Sequence, residues 1–164
     1  MIYVYIYCLY LNNILYILIM SLLLSTNNYN INGVIFLEPT RNKIIKHSYF
    51  IKILYSNWLF TMNGLYLHIP IEYEKCMQIG NNKFKYFFNY LKNKSSIDNL
   101  YALEQNLLDK INIKKMRRFL CYEQLKNNYI ITNKNKKSSE FVIKISGIWE
   151  TQDAYGLSFK FINN

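Results

Sequence analysis

The stretch Lys144-Ile-Ser-Gly-Ile-Trp-Glu-Thr-Gln-Asp-Ala-Tyr-Gly-Leu-Ser-Phe-Lys-Phe-Ile-Asn163 constrains the fold more than any other part of this chain. Just before and into it, Phe141, Ile143 and Ile145 alternate with Val142, Lys144 and Ser146. Leu157, Phe159 and Phe161 then alternate with Ser158 and Lys160. A period of two makes each run a strand that turns one face to a core. The polar linker 150–154 joins the two strands. Gly147 and Gly156 are expected at a bulge or a close backbone approach near that turn. Elsewhere the chain drifts toward Asn, Ile, Lys and Tyr, yet this stretch holds one of its two Trp and two of its five Gly. These should be the last two strands, which the preceding strands and helix need to close a small barrel.

Earlier segments supply candidates for that pairing. Residues 33–38 read as a short strand ended by Pro39, and 48–55 as a second strand rich in aromatic and β-branched residues. Residues 57–64 form a loop closed by an Asn-Gly turn signal. Residues 65–71 make a third strand, placed at an edge or ended by Pro70, which lacks a ladder donor. Residues 83–90 add a fourth. A helix follows, with Ser95 or Ser96 as N-cap and Ile97, Leu100, Leu103, Leu107 and Ile111 on one face, Glu104 and Lys110 off it. A short helical piece spans 120–126, and 132–139 is a polar linker. The expected fold class is α+β, mainly β. It is a small OB-like antiparallel barrel or sheet with one main helix between the third or fourth strand and the last two. An N-terminal apolar segment precedes it.

That segment carries no charge up to residue 37, and 2–24 is mostly Ile, Leu and Tyr. Such a run is long enough to span a bilayer. It is equally what translated A+T-rich intergenic sequence looks like, with Met20-Ser-Leu-Leu-Leu-Ser as the true start, and a buried helix is the third reading. A signal peptide fits poorly, because no basic residues precede the apolar run. Residues 1–19 are thus set apart as an extension, and 20–164 as a single domain. A membrane partner is expected only if 2–24 is translated.

The net charge is +10, and 17 of the 20 basic residues are Lys, a bias that coding composition alone favours. Arg117-Arg118 runs against that bias. Between Lys83 and Lys137 there are 13 basic residues and four acids, so nearly the whole net charge lies there. A polyanion is the natural partner of such a field. No P-loop, GxGxxG, HExxH or GxSxG is present, the acids are scattered, and Cys8, Cys76 and Cys121 are isolated. The expectation is a non-enzymatic chain without cofactor or metal. Single-stranded nucleic acid also needs flat side chains for unstacked bases. Trp58, Phe60, Tyr66, Tyr86, Trp149, Tyr155 and Phe159 are the candidates, close in sequence to Lys52, Lys85, Lys144 and Lys160. A small core also needs such aromatics, and a lysine-rich surface is usually only a solvated face. The interface expected from the sequence has phosphates on Lys83, Lys85, Lys114, Lys115, Arg117, Arg118 and Lys160, and bases on Trp58, Tyr86 or Trp149.

Ile145-Ser-Gly-Ile-Trp-Glu-Thr followed by Tyr155-Gly-Leu-Ser-Phe-Lys-Phe resembles the closing motif of a group of small proteins of nucleocytoplasmic large DNA viruses. Tyr55-Ser-Asn-Trp-Leu-Phe-Thr-Met-Asn-Gly-Leu-Tyr66 resembles their earlier strand–loop–strand, and the resemblance covers about residues 20–162. Some members are read as OB-fold-like single-stranded DNA-binding proteins. The resemblance implies a module that binds single-stranded DNA, or RNA, at the viral replication site of an infected cell, in replication or repair. Two rivals stand beside it. One is a structural or interaction protein of the virion or viral factory that self-associates. The other is a membrane-anchored protein with a basic cytoplasmic domain.

Overall fold

The computed structural model of the chain describes residues 23–25, 29–42, 45–133 and 140–163. The strands in chain order are β1 (Leu24–Ser25), β2 (Val34–Phe36), β3 (Thr40–Arg41), β4 (Tyr49–Ser56), β5 (Thr61–Asn63), β6 (Leu65–Pro70), β7 (Tyr73–Gly80) and β8 (Lys83–Phe88). Helix α1 (Lys94–Asp109), β9 (Met116–Arg118), helix α2 (Leu120–Lys126), β10 (Tyr129–Thr132), β11 (Glu140–Glu150) and β12 (Ala154–Asn163) follow. The chain is mainly β, with the one long helix between β8 and the last two strands. The described strands form two open sheets and close no barrel. Among the described residues no helix is long and apolar enough to cross a membrane. The apolar run up to Leu22 lies outside the described residues, as does most of the 132–139 linker.

The closing hairpin organises the large sheet as its alternation predicts. β11 pairs antiparallel with β12 along its whole length. On its other edge β11 changes partner: 140–145 pairs with β6, and 147–150 pairs with β4. The switch is a bulge at Ser146, between Ile145 and Gly147. The segment 61–70 makes the complementary switch. Its first part, β5, pairs with β4, and its second, β6, pairs with β11, with Gly64 between them at φ +96°. At that φ an L side chain is strained, so glycine is the residue that lets the chain change strand partner. Gly147 serves the same junction through space: an ideal Cβ there would lie 2.3 Å from the Ile51 carbonyl oxygen and 2.5 Å from the Phe50 ring. The sequence reading of Gly147 as a bulge or close approach holds. The reading of 57–64 as one loop does not, since only 57–60 turns before β5 begins.

β7, β8 and β10 form a second, three-stranded antiparallel sheet. β7 escapes the sequence reading because Tyr73-Glu-Lys-Cys-Met-Gln-Ile-Gly has no apolar–polar period, a consequence of its exposure at a sheet edge. The inner faces of the two sheets meet at an aromatic cluster. The Phe141 ring of β11 stands edge-on to Tyr86 of β8 at 5.1 Å and to Tyr73 of β7 at 6.2 Å.

Helix α1 completes the core with Ile97, Leu100, Leu103, Leu107 and Leu108, all buried. Its N-cap is Asn93, not Ser95 or Ser96. The buried Asn93 side chain instead joins segments: its Oδ1 accepts from Glu72 N at 2.8 Å, and its Nδ2 donates to the carbonyls of Glu72 and Asn89. Ile111 lies beyond the helix end and is half-buried. Glu104, expected on the solvent side, is fully buried with the apolar stripe. Its two carboxylate oxygens accept from Cys121 N at 3.2 Å and Tyr122 N at 3.0 Å, in the first turn of α2. Those amides have no intrahelical partner, so the carboxylate acts as a cap from a neighbouring helix. Burial nevertheless pushes its pKa up, to about 7, against the two backbone hydrogen bonds that lower it.

Candidate nucleic-acid interface

Strand alternation and pairing decide which side chains share the outer face of the large sheet. On β11, Phe141, Ile143 and Ile145 point inward and are fully buried, as are their partners Leu65, Leu67 and Ile69 on β6. Val142 and Lys144 therefore take the opposite face, where Val142 is buried and Lys144 half-buried. Lys144 lies directly between Tyr66 on one neighbouring strand and Lys160 on the other. Past the bulge, Gly147 lies between Lys52 and Ser158, and Trp149 lies between Phe50 and Gly156. One face thus carries three rows: Tyr66–Lys144–Lys160, Lys52–Gly147–Ser158 and Phe50–Trp149–Gly156. The face continues past Tyr66–Lys144–Lys160 into a row His68–Val142–Ile162, where His68 meets the Glu140 carboxylate at the start of β11, and no carboxylate occurs within the first three rows.

The aromatics on this face lie low against the sheet because glycines make room for them. The Phe50 ring occupies the space over Gly147, and the Trp149 ring occupies the space over Gly156, where a Cβ would be 2.9 Å from Cζ2. Trp149 is also fixed in orientation, its Nε1 donating to the Leu157 carbonyl at 3.2 Å. The Lys144 ammonium sits 4.9 Å from the centre of the Tyr66 ring. Lys52 and Lys160 are exposed. Two lysines directly opposite on neighbouring strands repel each other. The Lys144–Lys160 pair therefore costs stability that a bound anion would restore.

The basic stretch after α1 has a different fate. Lys115 donates to Glu150 at 2.6 Å and to the Thr151 carbonyl at 2.7 Å. Arg117 donates through Nε to the Tyr155 hydroxyl at 3.0 Å and is ion-paired with Asp109. Arg118 reaches Glu123 at 3.3 Å. Lys115 thus ties the loop before β9 to the end of β11, Arg117 ties β9 to α1 and β12, and Arg118 ties β9 to α2. Their charge is met by carboxylates. Lys114 is exposed on the loop before β9, away from the paired rows.

The remaining expected residues separate. Tyr86 is fully buried and offers no face to a base, because register turns it inward and its neighbours Lys85 and Phe87 outward. Lys83 and Lys85 belong to the three-stranded sheet. Trp58 is 89% exposed at the tip of the β4–β5 hairpin, outside the rows of either sheet. Tyr155 is buried, and Phe159 faces inward beside Ile145. Of the ten residues expected to bind, Trp149 and Lys160 share this face, with Arg118 in register beside Gly156 at its edge. Lys83 and Lys85 share the small sheet instead, and Lys52, Lys144 and Tyr66 join the large-sheet face from the wider set of candidates. Phe50 was missed. Its signal was its even position in an alternating strand, opposite that of buried Ile51 and Ile53. Among the described residues no group of three or more His, Cys, Asp or Glu could hold a metal ion.

Against this geometry the comparisons with known proteins add nothing, for no family model, no curated protein and no solved structure matches the chain.

Proposed function

We propose that this chain is a non-enzymatic module that binds single-stranded nucleic acid, DNA or RNA, across the outer face of the large sheet. Lys52, Lys144 and Lys160 meet phosphates, and Trp149, Phe50 and Tyr66 offer surfaces to unstacked bases. The observation that carries the reading is the Lys144–Lys160 pair, set between aromatic rings on a face whose rows hold no carboxylate. The proposal keeps the OB-like idea in one respect: a long helix precedes the closing hairpin, and an open sheet face takes the ligand. With the viral-family resemblance of residues 145–161, the activity would serve replication or repair of a large DNA virus.

Titration with oligo-dT at several salt concentrations tests it. Each phosphate contact to a single strand contributes about 0.7 to the slope of log affinity against log salt. Replacing Lys52, Lys144 and Lys160 together by Gln should lower that slope by about 2 and weaken low-salt binding at least tenfold. Trp fluorescence should still be quenched in Trp58→Phe, where Trp149 is the remaining indole. Wild-type protein that fails to bind at low salt, or binds equally well without the three lysines, refutes the assignment.

The rival reading, an interaction protein, is favoured by the hairpin tip. Asn57 Oδ1 accepts from the amides of Leu59 and Phe60, holding a tight turn that presents Trp58 and Leu59 to solvent. If that tip is the working surface, Trp58→Ser with Leu59→Ser abolishes self-association or partner capture and leaves oligonucleotide affinity unchanged.

A further inference from the structure

The three-stranded sheet carries a second face of the same chemistry. Register places Tyr129, Phe87 and Lys75 in one outward row, and Ile131, Lys85 and Met77 in the next, with exposed Lys83 beyond. The opposite rows, Ile130–Tyr86–Cys76 and Thr132–Phe84–Gln78, turn toward the core. The Lys85 ammonium lies 4.0 Å from the centre of the Tyr129 ring and 5.0 Å from that of Phe87. No acidic residue occurs in the paired segments 75–78, 83–87 and 129–132. The nearest in sequence, Glu74, falls at the irregularity between Tyr73 and Lys75 and is ion-paired with Lys92 at 3.1 Å.

The two basic faces do not look the same way. Phe141, inside the large sheet, packs edge-on against Tyr86 and Tyr73, inside the small one. The buried faces are turned toward each other, so the outer faces are turned apart. Continuous stacking of one short strand on both would require it to wrap around the core.

From this arrangement we infer that the molecule holds two nucleic-acid strands at once, one on each sheet, and so bridges them. The inference rests on the proposed binding reading and adds a second, independent site with Lys75, Lys83 and Lys85 for phosphates and Phe87 and Tyr129 for bases. Charge complementarity selects the occupant: a carboxylate-free face with three lysines suits a second polyanion. The β7 edge is less suited to strand addition by a protein chain, since register irregularities interrupt both of its ends.

Bridging is read with two oligo-dT strands, which cannot pair with each other: one is immobilised, the other fluorescent and free. The full chain should retain the fluorescent strand on the immobilised one. Lys75→Glu with Lys83→Glu, both at exposed positions, should bind the immobilised strand within about threefold of wild type and retain at least tenfold less of the second. Phe87→Ser tests the same loss without a change of charge. Wild-type protein that binds the first strand and captures no second overturns the inference alone. Undiminished capture by both variants also overturns it, and assigns bridging to self-association. Failure to bind even the first strand refutes the large-sheet reading instead.

Discussion

Gly147→Ala should unfold at markedly lower denaturant than wild type, with a loss of about 3 kcal/mol or more, at or above the upper end of overpacking costs. The added methyl would sit 2.3 Å from the Ile51 carbonyl and 2.5 Å from Phe50. Phe50 can rotate away, but the carbonyl is backbone in a paired strand. Relief therefore requires β4 to separate from β11 where β11 changes partner. Gly80→Ala is the matched control. It lies at the end of edge strand β7, and a Cβ there meets nothing within 4 Å. Its stability should be unchanged or higher by up to about 1 kcal/mol, since alanine restricts the unfolded chain. Equal denaturation midpoints for the two variants would remove the junction argument.

The second large effect is a pH dependence centred on Glu104. Its pKa is raised from 4.5 to about 7 in the folded protein. The folded state therefore binds the proton more tightly than the unfolded chain. The associated stability is fully present below pH 4.5, falls as pH rises and is lost above about pH 7. At about 1.4 kcal/mol per unit, the span is about 3 kcal/mol. Burial is the main cause, and the amides of Cys121 and Tyr122 offset only part of it. Glu123 also raises the Glu104 pKa, while the Cys121 thiol, itself pushed up by burial and by Glu104, adds no charge beside it. Glu104→Gln keeps one oxygen for the α2 amides and carries no charge. The stability difference between Glu104→Gln and wild type, from urea unfolding, should shift by about 3 kcal/mol in favour of the variant between pH 5 and 8. Parallel profiles would show that the carboxylate titrates near its ordinary value. Because only the difference is read, the self-repulsion of a chain with net charge +10 cancels.

Two of these predictions rest on features at different levels of legibility. Gly147 was visible in the sequence as a bulge or close approach, because glycine breaking a period-two run has few other causes. Glu104 was not. Its position beside Leu103 and Leu107 fits the edge of an apolar stripe, where a carboxylate normally faces water. Only the docking of α2 with its open amides above that edge makes burial tolerable.

The candidate interface divides the same way. The outward placement of Lys144 and Lys160 follows from alternation with isoleucine and phenylalanine. In Lys83-Phe-Lys-Tyr-Phe-Phe88 the aromatics fall on both parities, so the inward turn of Tyr86 was not legible. The basic stretch 114–118 reads as a free cationic strip because its partners come from three other elements: Asp109 from the end of α1, Glu123 from α2 and Glu150 from β11.

By itself the sequence determined the closing hairpin, the long helix before it, and a chain that is mainly β with a large excess of positive charge. These follow from covalent geometry, which imposes a period of two on half-buried strands and of 3.6 on helices. Only the tertiary structure decided which lysines are met by carboxylates, which aromatics are core, and that β11 divides its edge between β6 and β4. Those outcomes depend on register and on contacts between residues far apart in the chain, where local pattern carries no information.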